Sequence, residues 1–246
     1  MSAQDIQPTF RVRYEEKRSR LTTFFRLFMV IPHSILLYFL GIAAFFTLFA
    51  TWLVVSITGK YPEGLYSFQS SIAKMSTNVS AYFSLLTDDF PPFALSGPDV
   101  DNYAVQLAIP PRKEQYSRLL AFFRFIVAIP VMVIAYAFQI VWSIGMFAAW
   151  FVILVTGKQP KGLQEFTELG YSYVARATPY YMLMTETWPK LTDPDGSELP
   201  PPTATAPLAP APVAPAQPVP ASPEAPTSQA PPASPAPSDQ PNPFGQ

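Results

Sequence analysis

Hydrophobic and polar positions pass through several regimes along this chain, and the whole succession occurs twice. Phe10-Arg11-Val12-Arg13-Tyr14 alternates apolar with basic residues, the period-two pattern of a short strand. From Ser19 to Ile31 the period lengthens. At about 100° per residue, Ser19, Arg20, Thr23 and Arg26 share a sector of roughly 120°, with Phe, Leu, Ile and Val around the rest. Acidic and basic side chains then vanish. His33 to Ile57 is 25 residues long, with His33 its sole charged candidate. At about 1.5 Å per residue it is long enough to cross a hydrocarbon core of roughly 30 Å. Leu65 to Leu86 is mixed again, moderately apolar but interrupted by Lys74 and Asn78.

A shift of 98 positions lays this pattern on itself without a gap. Ser19-Arg20-Leu21 meets Ser117-Arg118-Leu119, Phe24-Phe25-Arg26 meets Phe122-Phe123-Arg124, and Trp52 meets Trp150. About a third of the aligned positions are identical, which marks a tandem duplication. The second apolar run, Val131 to Val155, carries only Gln139 as a strongly polar side chain. The mixed segment that follows, Leu163 to Met184, contains Glu165, Glu168 and Arg176. Both mixed segments read as helices packed on the membrane surface or on the spanning pair, because a central Lys or Arg makes a further crossing costly. Tyr103 to Ile109 supplies a second alternating strand, offset from the repeat register, and the two strands are expected to pair with each other outside the membrane.

Local signals set the boundaries. Ser19 and Ser117 are N-cap residues. Pro32 and Pro130 stand at the entrances of the apolar runs, where proline kinks a helix or starts a new one. Thr58-Gly59-Lys60-Tyr61-Pro62-Glu63-Gly64-Leu65 and Thr156-Gly157-Lys158-Gln159-Pro160-Lys161-Gly162-Leu163 mark the exits. Gly59 and Gly157 suit a left-handed C-cap, the lysines suit the negative helix end and the membrane surface, and Pro62 and Pro160 stop the helix. Gly64 and Gly162 are expected in turns with positive φ. The spacing is not that of a phosphate loop. Thr87-Asp88-Asp89-Phe90-Pro91-Pro92-Phe93 ends the first unit as a turn-rich loop, with the two aspartates solvated.

Composition divides the chain further. The expected organisation of the 246 residues is a disordered lead (1–8), membrane unit 1 (9–98), membrane unit 2 (99–192) and a disordered tail (193–246). Charged residues are only 13% of the chain, yet mean hydropathy is a modest +0.18, because a Pro/Ala-rich tail without Lys or Arg dilutes the rest. Such a tail cannot bury a core and favours polyproline II. Net charge of −1 gives no reason to expect nucleic acid, and the absence of cysteine removes disulfides and thiolate chemistry. Met1 to Arg20 lacks the apolar core of a signal peptide, so internal segments are expected to take the chain to a membrane. The fold class is therefore mainly α and membrane-bound. Each unit holds a short strand, an amphipathic helix, one transmembrane helix and a surface helix.

The paired signature Arg-Leu-x-x-Phe-Phe-Arg, Ile-Pro-His, a long apolar run, Thr-Gly-Lys-Tyr-Pro-x-Gly-Leu and Leu-Leu-Thr-Asp-Asp-Phe-Pro-Pro-Phe resembles a bacterial membrane protein family, the domain of unknown function 4389. The resemblance covers roughly residues 10–190 as two copies. The second copy departs at Val131 for His33, Gln159 for Tyr61 and Glu186-Thr187-Trp188 for Asp88-Asp89-Phe90. The resemblance implies a bacterial inner-membrane location and supplies no catalytic residue.

Two arrangements in the bilayer fit the pattern. Spanning helices make the units antiparallel; with both termini cytoplasmic, ten of the 16 basic residues lie inside, a multi-pass topology. Re-entrant hairpins instead keep all of them on one side. The amphipathic lead likewise reads either as a helix in the headgroup layer or as the charged entrance to a spanning helix. Arg20, Arg26, Arg118, Arg124, Lys60 and Lys158 are the candidate headgroup contacts. His33 reads as an interfacial polar residue. No catalytic site, metal site or cofactor is expected, and the chain does not read as an enzyme. The leading function is a scaffold or accessory subunit of a membrane assembly. Its expected partners are the bilayer, a membrane protein or further copies of itself, and a soluble protein held by the proline-rich tail. A small transporter or channel component and an anionic-lipid binder are the alternatives.

Overall fold

A computed structural model describes residues 7–191; most of the expected lead and all of the expected tail lie outside the described residues. The elements in chain order are β1 (Thr9–Val12), α1 (Arg20–Thr58), α2 (Glu63–Phe83), α3 (Pro98–Asp101), β2 (Val105–Ala108), α4 (Arg118–Phe122), α5 (Arg124–Val127), α6 (Ile129–Thr156) and α7 (Lys161–Tyr181). Ser19 caps α1, its Oγ accepting from Thr22 N–H at 3.2 Å, and Ser117 caps α4 through Leu120 N–H at 3.4 Å. Gly59 and Gly157 end α1 and α6 with φ of 72° and 71°, the left-handed geometry expected of them.

The prolines act differently in the two copies. Pro130 sits in the first turn of α6, after breaks at Phe123 and Ala128. Pro32 lies inside α1, which runs through it for 39 residues. Beside it, Ser34 Oγ donates to Val30 O at 3.1 Å, and the second copy has Met132 at that place. A separate amphipathic lead helix is therefore absent from the first copy, and a continuous helix excludes the re-entrant hairpin. Gly64 and Gly162 are helical residues near the starts of α2 and α7, not positive-φ turn residues, because Pro62 and Pro160 already supply the N-caps.

Short loops turn α2 back along α1 and α7 back along α6. The two copies then join head to tail. Tyr116 N–H donates to Gly59 O at 2.8 Å, and Arg18 N–H donates to Gly157 O at 3.1 Å, so α1 and the α4–α6 row run antiparallel with their ends touching. The strands pair as expected, antiparallel with Thr9 opposite Ala108 and Val12 opposite Val105.

Helix periodicity gives the layering. Gln69, Met75, Val79 and Tyr82 of α2 point one way, towards Val30, Leu37, Leu40 and Thr47 of α1. Ala73 and Ala81 point the opposite way, into a core with Phe10, Val12, Val105 and Leu107 of the ribbon. In α7, Tyr173, Ala177 and Tyr180 face α6, while Tyr171 and Ala175 face the ribbon. The result is three layers: long helices, then α2 and α7, then the β-ribbon. The mixed segments thus pack on the long helices and bury more residues than those helices do.

Small residues set the approach of α6 to α7. A Cβ on Gly170 would lie 2.4 Å from Trp142 N, and one on Gly145 would lie 2.6 Å from Thr167 Oγ1. The first copy has Ile72 and Thr47 at those positions, and there Gln69 Nε2 donates to Thr47 Oγ1 at 3.1 Å instead. Gly170→Ala should destabilise the detergent-solubilised protein by about 1–3 kcal/mol through overpacking. Gly162→Ala, which meets nothing within 4 Å, should be neutral or stabilising. Thermal unfolding of the two variants checks the contrast.

Candidate functional site

The second turn of each polar sector, Thr23 and Arg26 in one copy and Ala121 and Arg124 in the other, points into the protein, while Arg20 and Arg118 stay exposed. Arg26 and Arg124 are 3% and 5% exposed, and Thr23 lies beside Arg26 fully covered. The Arg26 guanidinium stacks 4.4 Å from the Tyr82 ring, and Arg124 stacks 4.1 Å from the Tyr180 ring. Arg26 Nη1 donates to Tyr82 O and to Thr87 O (2.9 Å), and Nη2 pairs with Asp88. Arg124 Nη2 donates to Thr185 O at 2.6 Å. These two residues therefore do not meet lipid headgroups: a buried guanidinium needs hydrogen-bond acceptors, and the loops after α2 and α7 supply them.

Those loops are held in an unusual conformation. Leu85 and Leu183 have φ of 65° and 59°, left-handed values that normally favour glycine. Both leucine side chains are buried, Leu85 against Ala149 and Ile153, Leu183 against Val55 and Tyr61. Burial of the side chain offsets strain of about 1–2 kcal/mol. The turn then brings an acid to each helix start. Ser19 N–H donates to Asp88 Oδ2 at 2.8 Å, and Ser117 N–H donates to Glu186 Oε1 at 2.6 Å, where a carboxylate complements the helix dipole. Asp88 is thus a structural acid and not a solvated one; Asp89 is exposed.

The remaining four basic candidates are exposed and lie at the two ends of the long-helix pair. Arg118 Nη2 donates to Thr58 O at 3.3 Å, the last turn of the other copy's long helix, with Lys60 next to it. At the other end a Cβ on Gly157 would meet Arg20 Nε at 3.0 Å, with Lys158 adjacent and paired to Glu16 at 3.1 Å. Each copy places a cation over the negative helix end of its partner copy. Pro32, Pro130, Gly59, Gly157, Pro62 and Pro160 keep their structural roles at helix starts and ends, Pro32 excepted.

Two first-copy features were not connected by reading the sequence. His33, fully buried, donates from Nε2 to Pro91 O at 2.9 Å, stacks on Phe93 at 3.8 Å and meets Phe90 edge-on at 4.8 Å. It is a buried contact for the returning loop and not an interfacial side chain. The second feature is a matched exchange at the two joints. Arg18 donates to Gln159 Oε1 (3.2 Å), Gln164 Oε1 (3.0 Å) and Leu86 O (2.9 Å) at one joint. At the other, the equivalent residues are Tyr116, Tyr61 and Tyr66: their rings pack 5.1 and 5.8 Å apart, and Tyr116 Oη donates to Met184 O at 3.4 Å. Burial lowers the Arg18 pKa, opposed by Asp88 and Glu15, and burial raises those of Tyr61 and Tyr66. The three simultaneous departures in the repeat alignment were the available signal.

Behind this polar interior, the outer face of the long helices is apolar along its length. Phe24, Phe28, Ile35, Phe39, Phe46 and Phe49 of α1 are exposed, as are Phe125, Met132, Tyr136, Ile140, Phe147 and Phe151 of the second copy. Arg20–Thr58 and Arg124–Thr156 are each long and apolar enough to cross a membrane. The architecture is that of a tandem helical protein with an apolar outer face and buried polar side chains set within an apolar core. Residues 20–94 and 118–192 each match the family described as a domain of unknown function (DUF4389), and the chain belongs to that family as two tandem copies. No curated protein and no solved structure matches the chain.

Asp88→Asn leaves two buried guanidinium groups facing a neutral amide and should cost roughly 3–5 kcal/mol, whereas Asp89→Asn at the exposed neighbour should fall within about 0.5 kcal/mol of the parent. Unfolding of both variants in one detergent measures the difference.

Proposed function

We propose that the protein is a membrane-embedded scaffold or accessory subunit of a larger membrane assembly. The observation that supports this is the exposed apolar face that runs the length of both long helices. The buried residues of α1 are Thr23, Arg26, Val30, His33, Thr51 and Val55 and those of α6 are Val131, Gly145, Ala149 and Ile153, while the exposed stripe of both helices is Phe, Leu, Ile and Tyr. A water-soluble chain would not leave so large an apolar face uncovered. The apolar surface takes lipid, and a membrane-protein partner or a further copy packs against part of it. The proline-rich tail offers polyproline segments to a soluble partner. The bacterial inner membrane, with both termini on the cytoplasmic side, is the location this reading assigns.

No catalytic or cofactor role is part of the proposal. Anionic-lipid binding is a second reading, favoured by the exposed Arg20, Lys60, Arg118 and Lys158 at the ends of the helix pair. Transport has less support, because the buried arginines close on loop carbonyls.

Alkaline carbonate washing of membranes should leave the full-length protein in the pellet, and release into the supernatant contradicts membrane embedding. In mild detergent it should co-purify in stoichiometric amounts with a membrane complex. Deleting the chain after Pro200 should preserve membrane attachment while removing soluble partners; unchanged co-purification counts against the role given to the tail.

A further inference from the structure

We propose that the long-helix pair lies flat in a single leaflet, with α2 and α7 above it and the β-ribbon in the water, so that no segment of the described chain crosses the bilayer. The proposal rests on the reading that the chain is membrane-embedded and specifies the surface it meets: the acyl layer and headgroup phosphates of one leaflet.

Length is the first argument. The exposed apolar stripe of α1 begins at Leu21 (70% exposed) and ends at Ile57 (70% exposed). That is about 54 Å of helix at 1.5 Å per residue. Set upright, such a stripe exceeds a hydrocarbon core of roughly 30 Å by nearly its own thickness, leaving Leu21, Phe24 and Phe25 or Phe49, Leu53 and Ile57 in water. Fitting the stripe inside by tilting requires an angle beyond the range of roughly 0–40° seen for transmembrane helices.

The level of the ribbon is the second argument. Phe10 packs edge-on to Tyr171, and the ribbon core includes Ala73; these two residues are the midpoints of α7 and α2. Those helices run beside the middle of the long pair, so an upright molecule would place the ribbon at the bilayer centre. Arg11 of β1, opposite Gln106, and the exposed Asp101 beside Val105 and Gln106 lie at that level. So does a cleft of ≈ 250 Å³ between α2 and β2, lined by Lys74, Asn78, Asp101 and Gln106. Charged groups in that position are strongly disfavoured. Laid flat, the same groups face water, since the ribbon and the apolar stripe are on opposite sides of α2 and α7.

The tyrosines give a third, independent argument. Tyr38 and Tyr136, equivalent in the two copies, are 67% and 69% exposed near the middle of the long helices. Upright, both phenols would sit in the hydrocarbon centre. In plane, a helix at the headgroup–acyl boundary keeps both phenols within about 5–10 Å of the headgroup layer that tyrosine favours. The Phe-rich stripe is also the composition of interfacial helices.

Charge completes the match. Arg20 with Lys158 and Lys60 with Arg118 form exposed basic pairs at the two ends of the helix pair. In plane, both pairs meet phosphates of the same leaflet, and every basic residue of the described chain lies on one side of the bilayer.

The chain has no cysteine, so single-cysteine variants report without background. Lys60→Cys and Lys158→Cys lie at opposite ends of the molecule. Each is expressed in full-length protein and treated with a membrane-impermeant maleimide in right-side-out and inverted vesicles. The in-plane arrangement gives labelling of both from the same side. Labelling from opposite sides overturns it and restores crossing helices, leaving the membrane-embedded reading intact. Release of the unlabelled parent by carbonate overturns both. As a second measurement, a fluorophore at Tyr38→Cys is compared with one at Ile57→Cys by depth-dependent quenching. Both should lie about 5–10 Å below the headgroup boundary. A Tyr38→Cys probe at the bilayer midplane, about 15 Å from either face, contradicts the proposal.

Discussion

Burial of the equivalent Arg26 and Arg124 is the constraint from which the rest of the structure follows. Arg26 and Arg124 sit on the inner faces of the long row with their guanidinium groups against tyrosine rings. A charge so placed must be met by acceptors, and the acceptors are carbonyls of the chain leaving the next helix. The second helix must therefore return to the start of the first. It must also end in a left-handed turn, which Leu85 and Leu183 adopt and their buried side chains hold. The same turn delivers Asp88 and Glu186 to the helix N-termini. With Arg26 and Arg124 committed inward, the opposite, apolar face of the long row is left uncovered by the described residues.

Neither copy completes itself. The ribbon takes one strand from each copy, and each long row has its negative end covered by an arginine of the other. The two joints between copies occupy equivalent positions but use different chemistry, Arg18 with two glutamines at one and three tyrosines at the other. Duplication has let one hydrogen-bonded joint and one aromatic joint diverge while the backbone geometry stayed common. His33 and its loop of Phe90, Pro91 and Phe93 are a further specialisation of the first copy.

The repeat, the strand pairing, the N-cap serines and the left-handed glycines were legible because each depends on local pattern. The direction of the lead helices was not. A sector containing Ser19, Arg20, Thr23 and Arg26 looks the same whether it faces headgroups or a protein interior, and only the returning loop decides which. The roles of Asp88 and His33 were hidden for a related reason, since their partners are about 60 to 70 residues away in sequence. Pro32 misled for another reason: a proline marks a local weakness, and the packing of Val30 and His33 on either side keeps α1 continuous. Gly64 and Gly162 read as turn residues, but the neighbouring prolines had already made the turn.

The exposed apolar face of the long helices requires an apolar environment, and the three-layer order requires that environment to be on one side only. Oriented circular dichroism of the protein in aligned bilayers tests this most directly, because α2 and α7 run back along α1 and α6. The account predicts the spectrum of helices parallel to the membrane surface. A spectrum dominated by helices along the bilayer normal would contradict it.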